Sequence, residues 1–157
     1  MASREQTYFT YRTPHGLITI GVTDGTISAI SLGECKMPGE NRACELSNLC
    51  ATQLLEYFAG RRTAFDLPLA PKGTDFQLKV WEALQRIPYG QTRTTAEIAE
   101  AIGSPDSYRM VGIAIRKNPI VILIPAHRVV GANGKVPGTD KQAQRRAAFL
   151  ELERRHA

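Results

Sequence analysis

The stretch Ile124-Pro125-Ala126-His127-Arg128-Val129 carries more information than any other part of this sequence. An apolar run, residues 120–124, leads into it and delivers a histidine and an arginine to a turn. Histidine is the side chain that most readily exchanges a proton near neutral pH. The residue before it is Ala126, whose methyl group can neither act as a nucleophile nor hold a proton. The stretch therefore has a histidine but no nucleophile directly before it.

The bulk composition is that of a globular protein. The chain has 157 residues, 43% hydrophobic and 22% charged, which is ordinary for one soluble domain or a small domain attached to another. No apolar run approaches the roughly 20 residues that span a bilayer, and residues 1–20 lack a signal-peptide pattern. We therefore expect a monomeric cytoplasmic protein without membrane association, bound to the nucleoid if the source is bacterial.

Cysteine usage and charge narrow the functional classes. Cys35, Cys44 and Cys50 are odd in number and lack Cys-x-x-Cys spacing, so we expect no disulfide framework, no metal and no cofactor. Residues 1–70 carry 6 Lys and Arg against 7 Asp and Glu, whereas residues 71–157 carry 14 against 8. A basic half beside a nearly neutral one is typical of a nucleic-acid-binding protein, although a solvated basic surface would give the same count.

The first half has the pattern of a small sheet with one helix. Three short runs rich in β-branched and aromatic residues are separated by turn residues and predict an antiparallel meander: residues 8–11, 17–20 and 27–30. Residues 34–42 have no periodicity and are predicted as a loop. A helix is expected over residues 47–58, with Gly60 as its stop, followed by an extended linker over 61–73. Residues 1–70 are therefore predicted to form an α/β domain.

The second half is predicted to be mainly helical. Thr74 is a plausible N-cap for a helix running to residue 86. Two short helices, residues 95–102 and 107–117, are joined by a Gly/Pro turn, which fits a winged helix-turn-helix. A final helix covers residues 142–155, and a short strand pair is expected around the stretch that opens this section. Residues 71–157 are therefore predicted to form a mainly α domain.

Several motifs resemble one known family, the O6-alkylguanine-DNA alkyltransferases, also called methylated-DNA–protein-cysteine methyltransferases. The opening stretch is similar to the family's Pro-Cys-His-Arg-Val, with alanine in place of the reactive cysteine. Further matches occur in the family's order: Gly73-Thr74-Asp75-Phe76-Gln77, Ile87-Pro88-Tyr89-Gly90-Gln91-Thr92, Arg109-x-Val111-Gly112 and Asn118-Pro119. The resemblance covers residues 70–157 well and the first 70 weakly. It implies an N-terminal ribonuclease H-like domain and a C-terminal DNA-binding alkyltransferase domain.

The resemblance implies a set of catalytic positions. Family members pass the alkyl group to the cysteine, which is activated through a histidine and a distant glutamate. Here Ala126 stands at the nucleophile position, while His127 and Glu153 match the base and its orienting acid. Asn118 matches the residue that braces the turn before the active-site strand. Without the cysteine, His127 is interpreted first as a buried, hydrogen-bonded histidine that holds the loop after Pro125, and secondarily as a group that polarises water.

The resemblance also implies DNA contacts. Arg109 matches the arginine that enters the duplex in place of the extruded base, although an exposed helix arginine would look the same. Gly112 would allow close approach of DNA or of a neighbouring helix. The remaining contacts implied are Arg116 and Lys117 to phosphates, together with Thr95 and Arg128. Arg128 follows the active-site turn and is interpreted first as a structural residue of that loop. The family usually has tyrosine where this chain has Thr95, which can bond a phosphate but lacks the bulk to push it.

The expected base pocket departs from the family pattern. Its residues are predicted to be Tyr108, Pro125, Val129, Thr139 and Asp140. The family's lid is a tyrosine followed by glycines, whereas residues 139–142 here all carry side chains, which should narrow the slot. An ionised Asp140 beside a purine edge can only accept hydrogen bonds, so it would pair with donor groups of the base and not with its acceptors.

Three functional hypotheses follow. The first is a non-catalytic, alkyltransferase-like homologue that recognises O6-alkylguanine in double-stranded DNA by minor-groove binding and base flipping, in connection with DNA repair. The second is a genuine alkyltransferase inactivated by a Cys→Ala substitution at position 126. The third is a winged-helix DNA-binding regulator without lesion preference. The combined loss of cysteine, tyrosine and lid glycines favours the first.

Overall fold

The computed structural model describes residues 5–157. The chain divides into two compact units. The first holds the described residues up to Lys72 together with the segment Pro119–Val121, and the second holds Gly73–Asn118 and Ile122–Ala157. The predicted boundary after residue 70 lies close to this division, but the sequence does not predict that Pro119–Val121 belongs to the first unit. Within residues 5–157, no helix is both long enough and apolar enough to cross a bilayer.

The first unit is a four-stranded sheet with one helix. The three-stranded antiparallel meander predicted from the sequence is confirmed, and strand order in the sheet is β3-β2-β1-β4. Its elements are β1 (Gln6–Thr13), β2 (Gly16–Thr23), β3 (Thr26–Leu32), β4 (Glu40–Asn41) and α1 (Glu45–Phe58). The prediction of loop throughout residues 34–42 is wrong at β4, because Glu40 and Asn41 pair in parallel with Thr7 and Tyr8.

Turn chemistry and apolar alternation explain this sheet. Asp24 and Gly25 both have positive φ, 49° and 76°, as the two-residue hairpin between β2 and β3 requires. The buried face of the sheet carries isoleucines that pack on the inner face of α1. Burial of such side chains contributes roughly 1.5–3 kcal/mol each, so this layer alone stabilises the unit substantially.

The second unit is built from four α-helices and a two-stranded parallel pair. Its helices are α2 (Asp75–Gln85), α3 (Thr95–Ala101), α4 (Tyr108–Arg116) and α5 (Lys141–His156), and its strands are β5 (Arg93–Thr94) and β6 (Val129–Val130). Thr74 is the N-cap of α2, as predicted, and Thr94 is the N-cap of α3. Each forms a capping box in which its hydroxyl accepts from the backbone three residues on.

The helix-turn-helix consists of α3 and α4. Gly103, with a φ of 77°, ends α3 and leads through a single 3-10 turn into α4. On the inner side of α4, Val111, Ala114 and Ile115 are buried. The indole Nε1 of Trp81 on α2 donates to the carbonyl oxygen of Ala114 at 2.9 Å, which fixes the distance between α2 and α4. The outer side of α4 is therefore presented to solvent.

Candidate functional site

The loop that carries Ala126 is buried along its whole length. Residues 122–130 are all buried, and residues 126–128 form one 3-10 turn. Ile122 has a φ of 74°, a left-handed conformation that a β-branched residue adopts only where the surrounding structure enforces it. The side-chain amide of Asn118 donates from Nδ2 to the carbonyl oxygen of Ile124 at 2.7 Å. This bond ties the end of α4 to the segment that precedes Ala126.

A buried carboxylate organises the turn. Glu153 on α5 has no exposed surface and accepts from four donors. The Nε2 of His127 lies 2.5 Å from Oε2, and the guanidinium of Arg128 donates from Nε to Oε1 at 2.8 Å and from Nη2 to Oε2 at 3.1 Å. The backbone N–H of Gly90 donates to Oε1 at 3.0 Å. The Nη1 of Arg128 donates to the carbonyl oxygen of Ile87 at 2.7 Å, so the arginine is held from both sides.

The surroundings of His127 favour its neutral form. Burial lowers the pKa of His127 below its usual 6.5, the hydrogen bond to Glu153 opposes that shift, and the Arg128 cation adds to it. A neutral imidazole next to a carboxylate carries its proton on Nε2 and donates it to Glu153. The ring also packs edge-on against Phe149, with centroids 5.9 Å apart. These contacts fix the orientation of the imidazole in the turn directly after Ala126.

A cavity of about 150 Å³ opens next to Ala126. Ala126, which is 8% exposed, is one of the residues that line it. The wall is formed by the start of α3, one side of α4, the turn at Ala126 with the adjoining β6, the segment leading into α5, and α5 itself. The lining residues are Thr95, Gly112, Ile115, Arg116, Ala126, Val129, Pro137, Gly138, Asp140 and Arg146.

The cavity contains charges of both signs. Asp140 is the N-cap of α5, and its Oδ1 accepts from the backbone N–H of Ala143 at 2.8 Å. Burial lowers the pKa of Arg146, the nearby Asp140 partly offsets this, and the second cation, Arg116, lowers it further. Two guanidinium groups and one carboxylate therefore face the same space, which suits a polar ligand rather than a purely apolar one.

The structure distributes the predicted site residues unequally. Four residues predicted as catalytic, Ala126, His127, Glu153 and Asn118, lie in one hydrogen-bonded region. Among the predicted DNA and pocket residues, Thr95, Gly112, Arg116, Val129 and Asp140 line the cavity. Tyr108, Pro125 and Thr139 do not line it, and Tyr108 is exposed at the start of α4. Arg109 and Lys117 are exposed on α4.

The predicted DNA contact of Arg128 is corrected. Arg128 is buried, and its Nε and both Nη atoms bond to Glu153 and to the backbone of Ile87. A guanidinium held in this way is not available to a phosphate. The alternative structural role is the one that the geometry supports.

Sequence reasoning missed four residues of the cavity wall: Ile115, Pro137, Gly138 and Arg146. One of them had a usable signal. Arg146 shares a helical face with Phe149, Leu150 and Glu153, since the spacings of three, four and seven residues all fall on one side of α5. Pro137 and Gly138 lie in an irregular segment for which no periodicity exists.

Both units of the chain match models of one protein family. Residues 75–155 match the DNA-binding domain of 6-O-methylguanine DNA methyltransferase, and residues 7–71 match its ribonuclease-like domain. The chain belongs to the 6-O-methylguanine DNA methyltransferase family. The predicted resemblance is thus confirmed.

Individual members of the methyltransferase family match almost the whole chain. A methylated-DNA–protein-cysteine methyltransferase of Mycolicibacterium paratuberculosis is 42% identical over 154 residues, covering 96% of this chain and 93% of that protein. The constitutive enzyme of that name from Bacillus subtilis is 41% identical over 158 residues, with 94% of both chains covered. The crystal structure of Mycobacterium tuberculosis OGT in complex with DNA is 40% identical with a TM-score of 0.88, covering 96% of this chain and 94% of that one. The predicted fold class is confirmed by this likeness.

Proposed function

We propose that this chain binds duplex DNA and recognises O6-alkylguanine by accepting the altered base in the cavity beside Ala126, without transferring the alkyl group. The observation that carries this proposal is the position of Ala126 in the wall of a cavity, directly before His127, which is hydrogen-bonded to Glu153. The chain belongs to the methyltransferase family, and under this proposal the acceptor position holds Ala126, which has no sulfur.

Charge and similarity support DNA as the partner. Residues 71–157 have an excess of six positive charges, and Arg109, Arg116 and Lys117 are exposed on α4. Cations on an exposed helix attract the phosphate backbone and make binding dependent on salt. The family members named above are called methylated-DNA methyltransferases, and the Mycobacterium tuberculosis protein was crystallised in complex with DNA.

Base extrusion would use groups on either side of the cavity. Removal of a base from the stack costs a few kcal/mol, and a planar guanidinium can occupy the gap that it leaves. Arg109, which is exposed at the start of α4, would do this, while Gly112, about one turn later, lines the cavity without a side chain. The alkyl group on O6 would then lie beside the Ala126 methyl, in space that the sulfur of a cysteine would otherwise share.

Alkyl transfer would lack a nucleophile in this site. Transfer needs a thiolate within reach of the alkyl carbon, with the adjacent imidazole accepting the thiol proton. All three cysteines of the chain lie at or before residue 50, so residues 73–157 contain none. A neutral His127 can hydrogen-bond a base or a water, but it has no thiol to deprotonate.

The first test compares two duplexes that differ only in one methyl group. We expect at least about tenfold tighter binding to a duplex with one O6-methylguanine than to the same duplex with guanine, as measured by fluorescence anisotropy, since tenfold corresponds to 1.4 kcal/mol. Equal affinities would remove lesion recognition from the proposal. Arg109→Ala should abolish the preference; a uniform loss of affinity on both duplexes would instead support a winged-helix regulator without lesion preference.

A second candidate is an alkyltransferase inactivated at its acceptor, and the intact His127–Glu153 pair favours it. Under this hypothesis Ala126→Cys should take up one labelled methyl group per protein molecule from O6-methylguanine DNA. Ala126→Ser is the matched control, because a serine hydroxyl is similar in size to a thiol but gives up its proton far less readily. A folded Ala126→Cys protein that binds the damaged duplex but gains no label would reject this candidate and leave the first.

A further inference from the structure

The outer face of α4 carries large apolar side chains in an unusual place. Tyr108, Met110 and Ile113 are 54%, 60% and 45% exposed. They are three of the eight large hydrophobic residues exposed within residues 5–157, yet α4 has only nine residues. The inner face of the same helix already buries three residues in the core of the second unit. The outer apolar side chains are therefore additional to those that the fold uses.

Basic residues flank these apolar side chains at both ends of the helix. Ile113 is four residues after Arg109, three before Arg116 and four before Lys117, so all of them are its neighbours on the helix surface. Met110, three residues before Ile113, extends the apolar centre towards the start of the helix. Within the described part of the chain, no ion pair is formed by any of the three cations.

Folding alone does not account for this surface. A β-branched isoleucine is a weaker helix former than alanine, lysine or glutamate, any of which would suit a solvent-facing position. Exposed isoleucine and methionine also leave apolar area in water. The combination therefore fits a partner that is apolar at its centre and negatively charged at both edges.

The minor groove of duplex DNA is such a partner. Its floor is made of base edges and sugars, and its walls are lined with phosphates. Proteins that insert Ile, Met or Leu side chains between base pairs from this groove partly unstack a step and bend the duplex. An acidic protein could in principle match the cations, but its contact would not require the apolar centre to lie beside Arg109.

We propose that Met110 and Ile113 form an apolar wedge that opens a base step from the minor groove, next to the point at which Arg109 enters. The inference rests on the proposed DNA binding and adds a residue-specific means of extrusion to it. Thr95 is buried at the start of α3 and lacks the bulk to push a phosphate. The DNA backbone would therefore not be displaced by α3. The wedge supplies the unstacking from the α4 side.

The wedge gives the protein a preference among undamaged sequences. Pyrimidine–purine steps such as TA unstack easily, whereas A-tracts are stiff. Insertion at a TA step therefore needs less deformation energy than insertion at an AA step. We expect the wild-type protein to bend a short duplex at its TA step, and to bind it more tightly than a duplex with AA at that position.

The test uses the double variant Met110→Ala with Ile113→Ala. Both substitutions favour helix, so α4 is retained, and circular dichroism checks this. Affinity for the TA duplex should fall on the order of ten- to a hundredfold, because two apolar contacts are lost. The bend measured by fluorescence transfer between the duplex ends should decrease, and the TA preference should vanish. The slope of log affinity against log salt should stay the same, since every cation remains.

Leu78→Ala is the matched control, because Leu78 is an exposed leucine, 37% accessible, on α2. It should bind and bend DNA like the wild type. The wedge is overturned if the double variant bends and discriminates TA from AA as the wild type does, or if the wild type binds no DNA. The bend and the TA preference are measured on undamaged DNA, so they test the wedge separately from lesion recognition. A wild-type protein that bends TA duplexes but shows no preference for the damaged duplex would reject the proposed function and leave the wedge standing.

Discussion

The most informative structural prediction concerns Glu153. Glu153→Gln keeps the size of the side chain and one acceptor oxygen but removes the negative charge. Glu153 has no exposed surface and the side chain of Arg128 is 9% exposed, so the arginine would be left buried without its counter-ion. Breaking a buried pair by removal of one partner costs about 3–5 kcal/mol. At roughly 2–4 °C per kcal/mol for a chain of this size, Tm should fall by about 6–20 °C.

Glu151→Gln provides a matched control on the same helix. Glu151 pairs with Arg155 at 3.5 Å, four residues apart, and both side chains are exposed. An exposed pair contributes about 0–1 kcal/mol, so this variant should unfold within about 4 °C of the wild type. Chemical denaturation of both variants gives the free energies of unfolding directly.

The partner substitution tests whether the cost arises from the unpaired charge. Arg128→Met alone should also destabilise the protein by several kcal/mol, because Glu153 would then lose its cation. The double variant should lose less than the sum of the two single losses, by at least about 1 kcal/mol. Additive losses, or a Glu153→Gln variant as stable as Glu151→Gln, would refute the organising role assigned to the carboxylate.

Three further predictions follow from named contacts. Burial lowers the pKa of His127 in the folded protein below 6.5, so as the pH falls below that value the unfolded chain binds a proton that the folded chain does not. The free energy of unfolding should therefore decrease on acidification. His127→Gln should weaken this pH dependence in denaturation curves taken from about pH 7.5 to 5. Replacing both Arg116 and Lys117 by alanine should reduce the slope of log affinity against log salt by about 1.8 in DNA titrations; an unchanged slope would place these cations away from phosphates. Trp81→Phe should lower the free energy of unfolding by about 0.5–1.5 kcal/mol, because the carbonyl of Ala114 loses the indole donor and keeps only the 3.2 Å bond from the backbone N–H of Lys117.

Local sequence signals predicted most of the elements. Thr74 was predicted as the N-cap of α2, and the structure confirms it, because a capping box needs only residues that lie within one turn. The meander between residues 6 and 32 was likewise predicted from β-branched runs and short turns. By contrast, β4 depends on pairing between Thr7 and Glu40, and two exposed residues carry no strand pattern of their own.

The candidate site was less predictable where it depends on contacts distant in sequence. The motif resemblance pointed to His127 and Glu153, but sequence alone did not indicate that Arg128 would share the same carboxylate 25 residues away. The resemblance therefore leaves both a DNA contact and a structural role open for Arg128, and only the structure distinguishes them. The buried face of α5 offered a clue, since Glu153 follows Phe149 and Leu150 at spacings of four and three. A buried acid on such a face needs a cation or a hydrogen-bond donor as its partner, and Arg128, the residue after His127, is a cation.

The fate of a labelled methyl group tests the central claim most directly. The wild-type protein is incubated with a duplex that carries one O6-[methyl-labelled] guanine, the lesion-specific complex is isolated, and the protein and DNA are then separated under denaturing conditions. Because Ala126 offers no acceptor atom, we predict a complex that forms in preference to the unmodified duplex and releases all of its label with the DNA. Label on the protein, or no preference for the modified duplex, would contradict the account.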